Sequence, residues 1–325
     1  MRLLALTLAL FTAAAAQAQC VGQNLITALP PDQLAAIQTA AEVPFAHGNV
    51  WRATKGAQSV TLIGTYHLDD PRHAATVAIV ADDLSRATAL MVEAGPAEEA
   101  ALKTHLANHP EQLVNTGGPT LPEALPDADW QRLTAALQAR GIPPVFAAKL
   151  RPWYVATMLA VPQCQNAEAA QAGLDRRLID LATAKAVPVT GLEPYDTVLA
   201  IFDGFSAVDQ LKMLVQTLDA DAVGDDMAVT IADSYFAGEN RLFWEFSKAQ
   251  TRALSGLTAA EADRSFALIE EAMITRRNRA WIPVITAAAA DGPLVVAFGA
   301  LHLPGQEGVL NLLVQQGWTV ASLAP

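Results

Sequence analysis

The feature that most constrains the fold of this sequence is a Gly-x-x-His segment that occurs twice, each time directly after an apolar run typical of a β-strand. The first segment, Gly64 to His67, follows residues 60–63, and the second, Gly299 to His302, follows residues 294–298. In open α/β sheets, ligands bind beyond the carboxyl ends of the strands. Two such placements, far apart in the sequence, predict that His67 and His302 converge on one site.

The remaining pattern predicts an α/β fold. Apolar, β-prone runs alternate with segments of helical periodicity, which favours a largely parallel sheet with flanking helices. Long helical stretches at about 96–186 and 194–290 predict a helical cap inserted between strands. The expected strands are a hairpin of residues 50–54 and 60–63, then residues 89–92, 187–190, 294–298 and 318–320.

The first 18 residues are typical of a secretory signal peptide. A basic start at Arg2 precedes an uncharged apolar run, and Ala16-Gln17-Ala18 fits a small-x-small cleavage site. We therefore expect residues 19–325 to form a single exported domain, periplasmic or secreted and soluble after cleavage. Acylation of Cys20 as in a lipoprotein is the weaker interpretation, because Gln19 stands where a small residue is required. No later stretch is long and apolar enough to span a bilayer.

Composition excludes several classes of protein. The chain is 52% hydrophobic and 17% charged, so it can build a sizeable core and is not expected to be disordered. Its formal charge of −12 disfavours nucleic acid and anionic membranes as partners. Cys20 and Cys164 are the two cysteines, and in an oxidising compartment one disulfide between them is expected.

Two glutamates extend the candidate site. Glu93 and Glu193 each follow a short predicted strand, so four strand ends carry a candidate group. Two imidazoles with one or two carboxylates suit a divalent metal ion, and a carboxylate that is not a ligand can act as general base. The structural alternatives are a hydrogen-bonded strand-end histidine, an ion pair between Glu93 and an arginine, and a turn at Glu193 before Pro194.

Two further groups lie near these motifs. Asp70-Pro71 predicts a turn and helix start, which leaves His73 exposed. Arg277 belongs to a cationic cluster beside Trp281 within an otherwise apolar helix. Such a cluster either binds an anionic group in the site or forms a solvated face. The hydrolase elbow Gly-x-Ser-x-Gly, the phosphate-binding loop and the His-Glu-x-x-His motif are all absent from the sequence.

Together these motifs resemble the TraB/GumN family over about residues 45 to 322. The resemblance rests on both Gly-x-x-His segments, on the strand-end glutamates, on Arg277-Asn278 with Trp281, and on the shorter matches Trp51-Arg52, Asp70-Pro71-Arg72 and Arg151-Pro152-Trp153. It implies an α/β fold shared with Tiki-type metalloproteases and, more distantly, with erythromycin esterases and haem-binding ChaN-like proteins. Leu301 replaces a glycine that is common in relatives.

The resemblance also implies that His67 and His302 bind a divalent ion such as Mn, Co or Zn. We expect Glu193, which matches a family position with no settled role, to be a further ligand. Glu93 is expected to be the essential acid, as ligand or general base, and Arg277 to steady an anionic group of a peptide or other small substrate. A metal-dependent peptidase is the leading hypothesis. A metal-independent esterase-like hydrolase and a non-enzymatic binder of peptide or haem are the alternatives, and the oligomeric state is left open.

Overall fold

The structure is a computed structural model, and it describes residues 20–165, 172–254 and 258–323. The predicted signal peptide lies outside these residues. The chain folds around one six-stranded sheet in the order β4-β3-β5-β2-β1-β6. Its strands are β1 Val50–Lys55, β2 Gln58–Thr65, β3 Ala89–Val92, β4 Val189–Gly191, β5 Leu294–Gly299 and β6 Thr319–Ser322. The predicted mixed α/β architecture is therefore confirmed.

Most of the sheet is parallel. Strands β2, β5, β3 and β4 pair in parallel, whereas β1 joins β2 in an antiparallel hairpin and pairs β6 on its other side. The hairpin turns at Gly56, whose φ of 59° favours glycine. Parallel pairing aligns the carboxyl ends of four strands, because Thr65 faces Gly299 and Val92 faces both Ala297 and Gly191.

Helices fill the connections between strands. Most of them fall between β3 and β4 and between β4 and β5, in the two stretches predicted to be helical. The helices are α1 Pro31–Ala40, α2 His73–Arg86, α3 Pro96–Asn108, α4 Leu121–Ala124, α5 Asp127–Ala139, α6 Pro144–Ala147, α7 Pro152–Leu159, α8 Leu174–Ala184, α9 Thr197–Asp203, α10 Ala207–Asp221, α11 Gly224–Phe236, α12 Asn240–Leu254, α13 Ala259–Glu270, α14 Arg276–Ala288 and α15 Val309–Gln315. A π-helical turn, Glu271–Thr275, joins α13 to α14.

Both faces of the sheet are buried, and this explains why β5 is apolar along its whole length. On one face Val296 and Phe298 pack with Trp281 of α14. On the other, Val295 and Ala297 pack with α2 and α8. Burial on two sides fixes the register of β5, because a shift by one residue would exchange its two faces. The strand therefore holds Gly299 and the following turn at a defined position.

A separate apolar cluster lies among the helices between β3 and β4 and helix α10. Cys20 and Cys164 form the expected disulfide, which ties the segment before α1 to this helical region. None of the helices in the described ranges is both long and apolar enough to cross a membrane. The assignment of residues 19–325 to a single domain stays a prediction.

Candidate functional site

Glu93 lies directly after β3, where the parallel strands end, and its two carboxylate oxygens have different partners. Oε1 accepts a hydrogen bond from the backbone N–H of Gly299 at 2.7 Å, and Oε2 accepts one from Nη2 of Arg277 at 2.5 Å. Burial alone would raise the pKa of Glu93, but His302, Arg277 and His67 outweigh it and hold the value at about 2. Glu93 is therefore an anion at neutral pH.

Arg277 is the central cation of the site. Its side chain is 7% exposed, and it donates to Glu193 from Nε at 2.9 Å and from Nη2 at 2.6 Å. Trp281 stacks under the guanidinium at 4.8 Å and also donates to Glu193 Oε2 at 2.9 Å. Nη1 donates to the carbonyl of Met273 in the π-helical turn at 3.0 Å. Both oxygens of Glu193 are thus occupied, and the structure does not present Glu193 as a free metal ligand.

His302 is buried, and its ring orientation is fixed by Asn278. Nδ1 lies 2.6 Å from Oδ1 of Asn278, so it carries the proton and donates. The Asn278 amide donates to the backbone carbonyls of His302 and Glu307, which settles which side of the amide faces the ring. Nε2 is left with its lone pair 3.4 Å from Nη1 of Arg277. Burial lowers the pKa of His302 to about 3, so the ring is neutral.

His67 is held from the opposite side by Asp175. Its Nδ1 lies 2.7 Å from Oδ2 of Asp175, and Thr65 donates to the other carboxylate oxygen at 2.7 Å. The charge of Asp175 raises the pKa of His67 to about 9. The side chain as a whole is 63% exposed. Asp175 lies in the first turn of α8. At the start of this helix, the backbone N–H of Leu174 donates to the carbonyl of Tyr66 in the first motif at 3.0 Å, which anchors the helix there.

The structure brings these groups together beside Gly299. A Cβ atom on Gly299 would lie 3.3 Å from Oε1 of Glu93, 3.3 Å from Nε2 of His67 and 3.7 Å from Cδ2 of His302. Nε2 of His302 is also 3.8 Å from Oε1 of Glu93. Two imidazoles and one carboxylate oxygen therefore surround one point, and glycine leaves that point free. All five predicted site residues belong to this one arrangement.

The donor set around that point has the chemistry of a metal site but not the spacing of one. Histidine ligands usually donate their second ring N–H to a carboxylate or amide, as His67 and His302 do here. Nε2 of His67 faces the point, whereas Nε2 of His302 faces Nη1 of Arg277. Nitrogen and oxygen donors suit Mn, Co and Zn. Among the residues that the structure describes, however, no group of three or more His, Cys, Asp or Glu side chains is arranged closely enough to hold an ion. Arg277 also borders the same point.

Two residues of this site were not predicted from the sequence. Asp175 fell only within the predicted helical stretch of about residues 96–186, and its position 108 residues from His67 gave no local signal. Asn278 was noted beside Arg277 without a role. An acid in the first turn of a helix and an amide next to a buried arginine are both common in structural positions, so neither pattern alone identifies a ligand-orienting group.

The surroundings of the first motif correct one expectation. His73 was expected to be exposed, yet it is fully buried at the start of α2, where it packs against Tyr66, Tyr235 and Phe236. Its Nε2 lies 2.8 Å from the carbonyl of Leu68. The predicted turn at Asp70 does form, and the Asp70 carboxylate pairs with Arg72 at 2.8 Å. These groups support the motif and do not reach the carboxylate of Glu93.

The sequence model of the TraB/PrgY/gumN family matches residues 49–322, which include every strand and every group of the site. The chain belongs to the TraB/PrgY/gumN family. The family match therefore covers the two Gly-x-x-His segments together with Glu93, Glu193 and Arg277. Searches of curated proteins and of solved structures found no match.

Proposed function

We propose that this TraB/PrgY/gumN family member is a hydrolase that cleaves amide bonds of peptides at the His67–Glu93–His302 centre. One observation carries the proposal: Nε2 of His67 and Oε1 of Glu93 both lie 3.3 Å from a single point that Gly299 leaves open, with the ring of His302 at 3.7 Å. Convergent groups of this kind at the carboxyl edge of a parallel sheet favour a catalytic role.

The proposed cofactor is a divalent ion, Mn, Co or Zn, for which His67, His302 and Glu93 would supply the ligands after their donor atoms close around the point beside Gly299. A bound ion of this kind lowers the pKa of water and polarises a carbonyl. Glu193 is not in this set, because its oxygens already accept hydrogen bonds from Arg277 and Trp281. Breaking these bonds would leave the buried Arg277 without one of its two carboxylate partners, which is costly.

The remaining residues act by positioning the three donors. Asp175 and Asn278 each bind the Nδ1 of one histidine and so fix both rings beside the centre, with Nε2 of His67 facing it. Arg277 binds Oε2 of Glu93 and leaves Oε1 for the chemistry. Because its donors are already engaged by Glu93, Glu193 and Met273, we propose that Arg277 positions Glu93 and does not bind the substrate directly.

We also propose that the protein works outside the cytoplasm. The disulfide between Cys20 and Cys164 supports this, since structural disulfides persist in oxidising compartments. The signal-peptide pattern of residues 1–18 supports it independently.

A metal-independent hydrolase is the second candidate, and one observation favours it. Nη1 of Arg277 lies 3.4 Å from Nε2 of His302, so a cation already occupies the side where an ion would be held. Because Asp175 holds the pKa of His67 at about 9, the ring is protonated at neutral pH, and its Nε2–H would then act as general acid toward the leaving group. The two candidates differ in their response to a chelator.

The test compares the full chain with His67→Ala and with His109→Ala, whose histidine is exposed and outside the site. Metal binding is measured by calorimetry with Mn²⁺, Co²⁺ and Zn²⁺, and hydrolysis with a library of internally quenched peptides. We expect His67→Ala to lose hydrolysis by at least about 100-fold and to lose metal affinity, and His109→Ala to behave as wild type. Chelator-resistant hydrolysis that His67→Ala abolishes supports the second candidate. Equal hydrolysis by wild type and His67→Ala overturns both.

A further inference from the structure

A cleft lies beside the second Gly-x-x-His segment, whose Leu301 forms part of its lining. It has a volume of about 390 Å³, within the usual range for small-molecule sites, and is formed by the end of α13, the π-helical turn and the loop after the second Gly-x-x-His segment. None of the five predicted site residues lines it. Much of its wall is apolar, from Val43, Ala267, Ile274, Leu301 and Pro304.

The charged groups of the cleft are not fully balanced. Glu270 pairs with Arg241 at 2.7 Å, and Glu307 pairs with Arg279 at 2.9 Å. Glu271 also lines the cleft, but its only salt-bridge partner in the described chain is Arg276 at 3.9 Å, which is beyond hydrogen-bond distance. The lining therefore carries one more carboxylate than it has cations, and that carboxylate lacks a close partner.

Arg241 adds a second unfilled interaction at the inner wall. Its two terminal nitrogens bind Glu245 at 2.6 Å and Glu270 at 2.7 Å, while its Nε–H is buried without an acceptor. An unpaired buried N–H of a charged group is unfavourable. Arg241 lines the cleft, so a carbonyl oxygen bound there can approach its guanidinium as an acceptor.

We propose that this cleft binds a small α-amino compound, such as a hydrophobic amino-acid amide or the amino end of a short peptide. The ammonium group lies against Glu271 and Glu270, the apolar side chain packs on Ala267, Ile274 and Leu301, and the carbonyl oxygen faces Arg241. This proposal is separate from the hydrolase proposal, because it concerns other residues and is tested by binding alone.

An occupant of the cleft contacts both segments that position the centre. The loop on one wall includes Glu307, whose backbone carbonyl accepts a hydrogen bond from the Asn278 amide. The same amide accepts a hydrogen bond from Nδ1 of His302 at 2.6 Å and so orients that ring. The π-helical turn on the other wall includes Met273, whose carbonyl accepts from Arg277 at 3.0 Å. Ligand binding in the cleft is therefore expected to change the resonances of the His302 ring, although the ligand does not touch it.

The experiment titrates leucinamide, and N-acetyl-leucinamide as a probe without the ammonium group, into the full chain by calorimetry and by NMR of the histidine rings. Ala267→Phe fills the cleft from an exposed position, and Leu268→Phe is its matched control at the next, exposed residue, which does not line the cleft. Glu271→Gln removes the unpaired charge at an exposed position.

We expect leucinamide to bind wild type and Leu268→Phe, Glu271→Gln to weaken binding about fivefold, and Ala267→Phe to abolish it. The titration is repeated with His67→Ala, which removes the proposed hydrolytic centre, so that binding at the two places is distinguished. No binding to wild type at about 10 mM, equal binding of the acetylated probe, or unchanged binding to Ala267→Phe overturns the proposal.

Discussion

Arg277 binds one oxygen of Glu93 and leaves the other facing the two imidazoles. Its Nη2 donates to Oε2 at 2.5 Å, while Oε1 accepts the N–H of Gly299 at 2.7 Å and lies 3.8 Å from Nε2 of His302. The same guanidinium holds Glu193 through two hydrogen bonds. One buried cation therefore compensates two carboxylates and selects which oxygen of Glu93 is available.

Removing this cation is expected to destabilise the fold. Arg277→Met leaves Glu93 and Glu193 without a counter-charge in a largely buried position, which typically costs about 3–5 kcal/mol. Urea unfolding at pH 7 measures the loss. The matched control is Arg276→Met at the neighbouring residue, which is 71% exposed and is expected to change stability by less than about 0.5 kcal/mol. Similar stabilities for the two variants would contradict the assigned role of Arg277.

Asp175 is expected to set both the charge and the orientation of His67. Asp175→Asn removes the negative charge next to Nδ1, so the pKa of His67 should fall from about 9 toward its ordinary value of about 6.5. NMR titration of the metal-free protein measures this shift. Metal affinity, corrected for the proton that His67 must release on binding, should fall about 10- to 100-fold, as for other residues that orient metal-binding histidines.

Asp180→Asn is the control for this change, because Asp180 lies on the same helix with a side chain that is 66% exposed. It should leave both the titration of His67 and metal binding as in wild type. An unchanged His67 titration in Asp175→Asn would show that the ion pair does not form in solution.

The sequence predicted the sheet and the approach of His67, Glu93 and His302 because each follows a strand that is buried on both faces. The carboxyl ends of such strands lie at one edge of a parallel sheet, so side chains that directly follow different strands lie close together even when they are far apart in the sequence. The pairing of Arg277 with Glu193 follows no such rule. This pairing depends on how α14 packs across the sheet. From the sequence, the cationic cluster around Arg277 was equally compatible with a solvated helix face.

The exposure of His73 was predicted wrongly for a related reason. Its sequence neighbours Asp69, Asp70 and Arg72 are polar, which is typical of a surface turn. Burial comes from Tyr235 and Phe236 at the end of α11, more than 160 residues away. An amphipathic pattern on α11 shows that one face is buried, but it does not show which distant segment covers it.

Gly299 is expected to be required because any side chain fills the centre. Gly299→Ala is compatible with the backbone, since φ is −50° and ψ is 134°. Its Cβ, however, would lie 3.3 Å from both Glu93 Oε1 and His67 Nε2. We expect a small change in thermal stability together with loss of metal binding by calorimetry and at least about a 100-fold loss of hydrolysis.

Gly117→Ala is the control for Gly299→Ala, because a Cβ at Gly117 meets nothing within 4 Å. It should preserve metal binding and stability. If Gly299→Ala binds metal as wild type does, the ion is not held at the point beside Gly299, and the proposed ligand set is wrong.

The buried imidazole of His73 is expected to make stability depend on pH in a defined direction. Burial lowers its pKa, opposed by its bond to the Leu68 carbonyl, so the folded state protonates His73 only below the value of about 6.5 for an unfolded chain. The unfolded state therefore binds the proton first as pH falls. The stabilising contribution is complete above pH 6.5 and is lost below it, by at most about 1.4 kcal/mol per pH unit.

His73→Gln isolates this contribution, because the glutamine amide can still donate to the Leu68 carbonyl but does not titrate. Urea unfolding at several pH values between about 6.5 and 5 should show a shallower fall in stability for His73→Gln than for wild type. The lowered pKa of His302, about 3, also makes the free energy of unfolding fall over this pH range, but it does so equally in both proteins. The difference between the two curves therefore reports His73 alone. His47→Gln, at an exposed position, should follow the wild-type curve. Parallel curves for wild type and His73→Gln would mean that His73 titrates alike in the folded and unfolded chains, contrary to its burial beneath Tyr66 and Phe236.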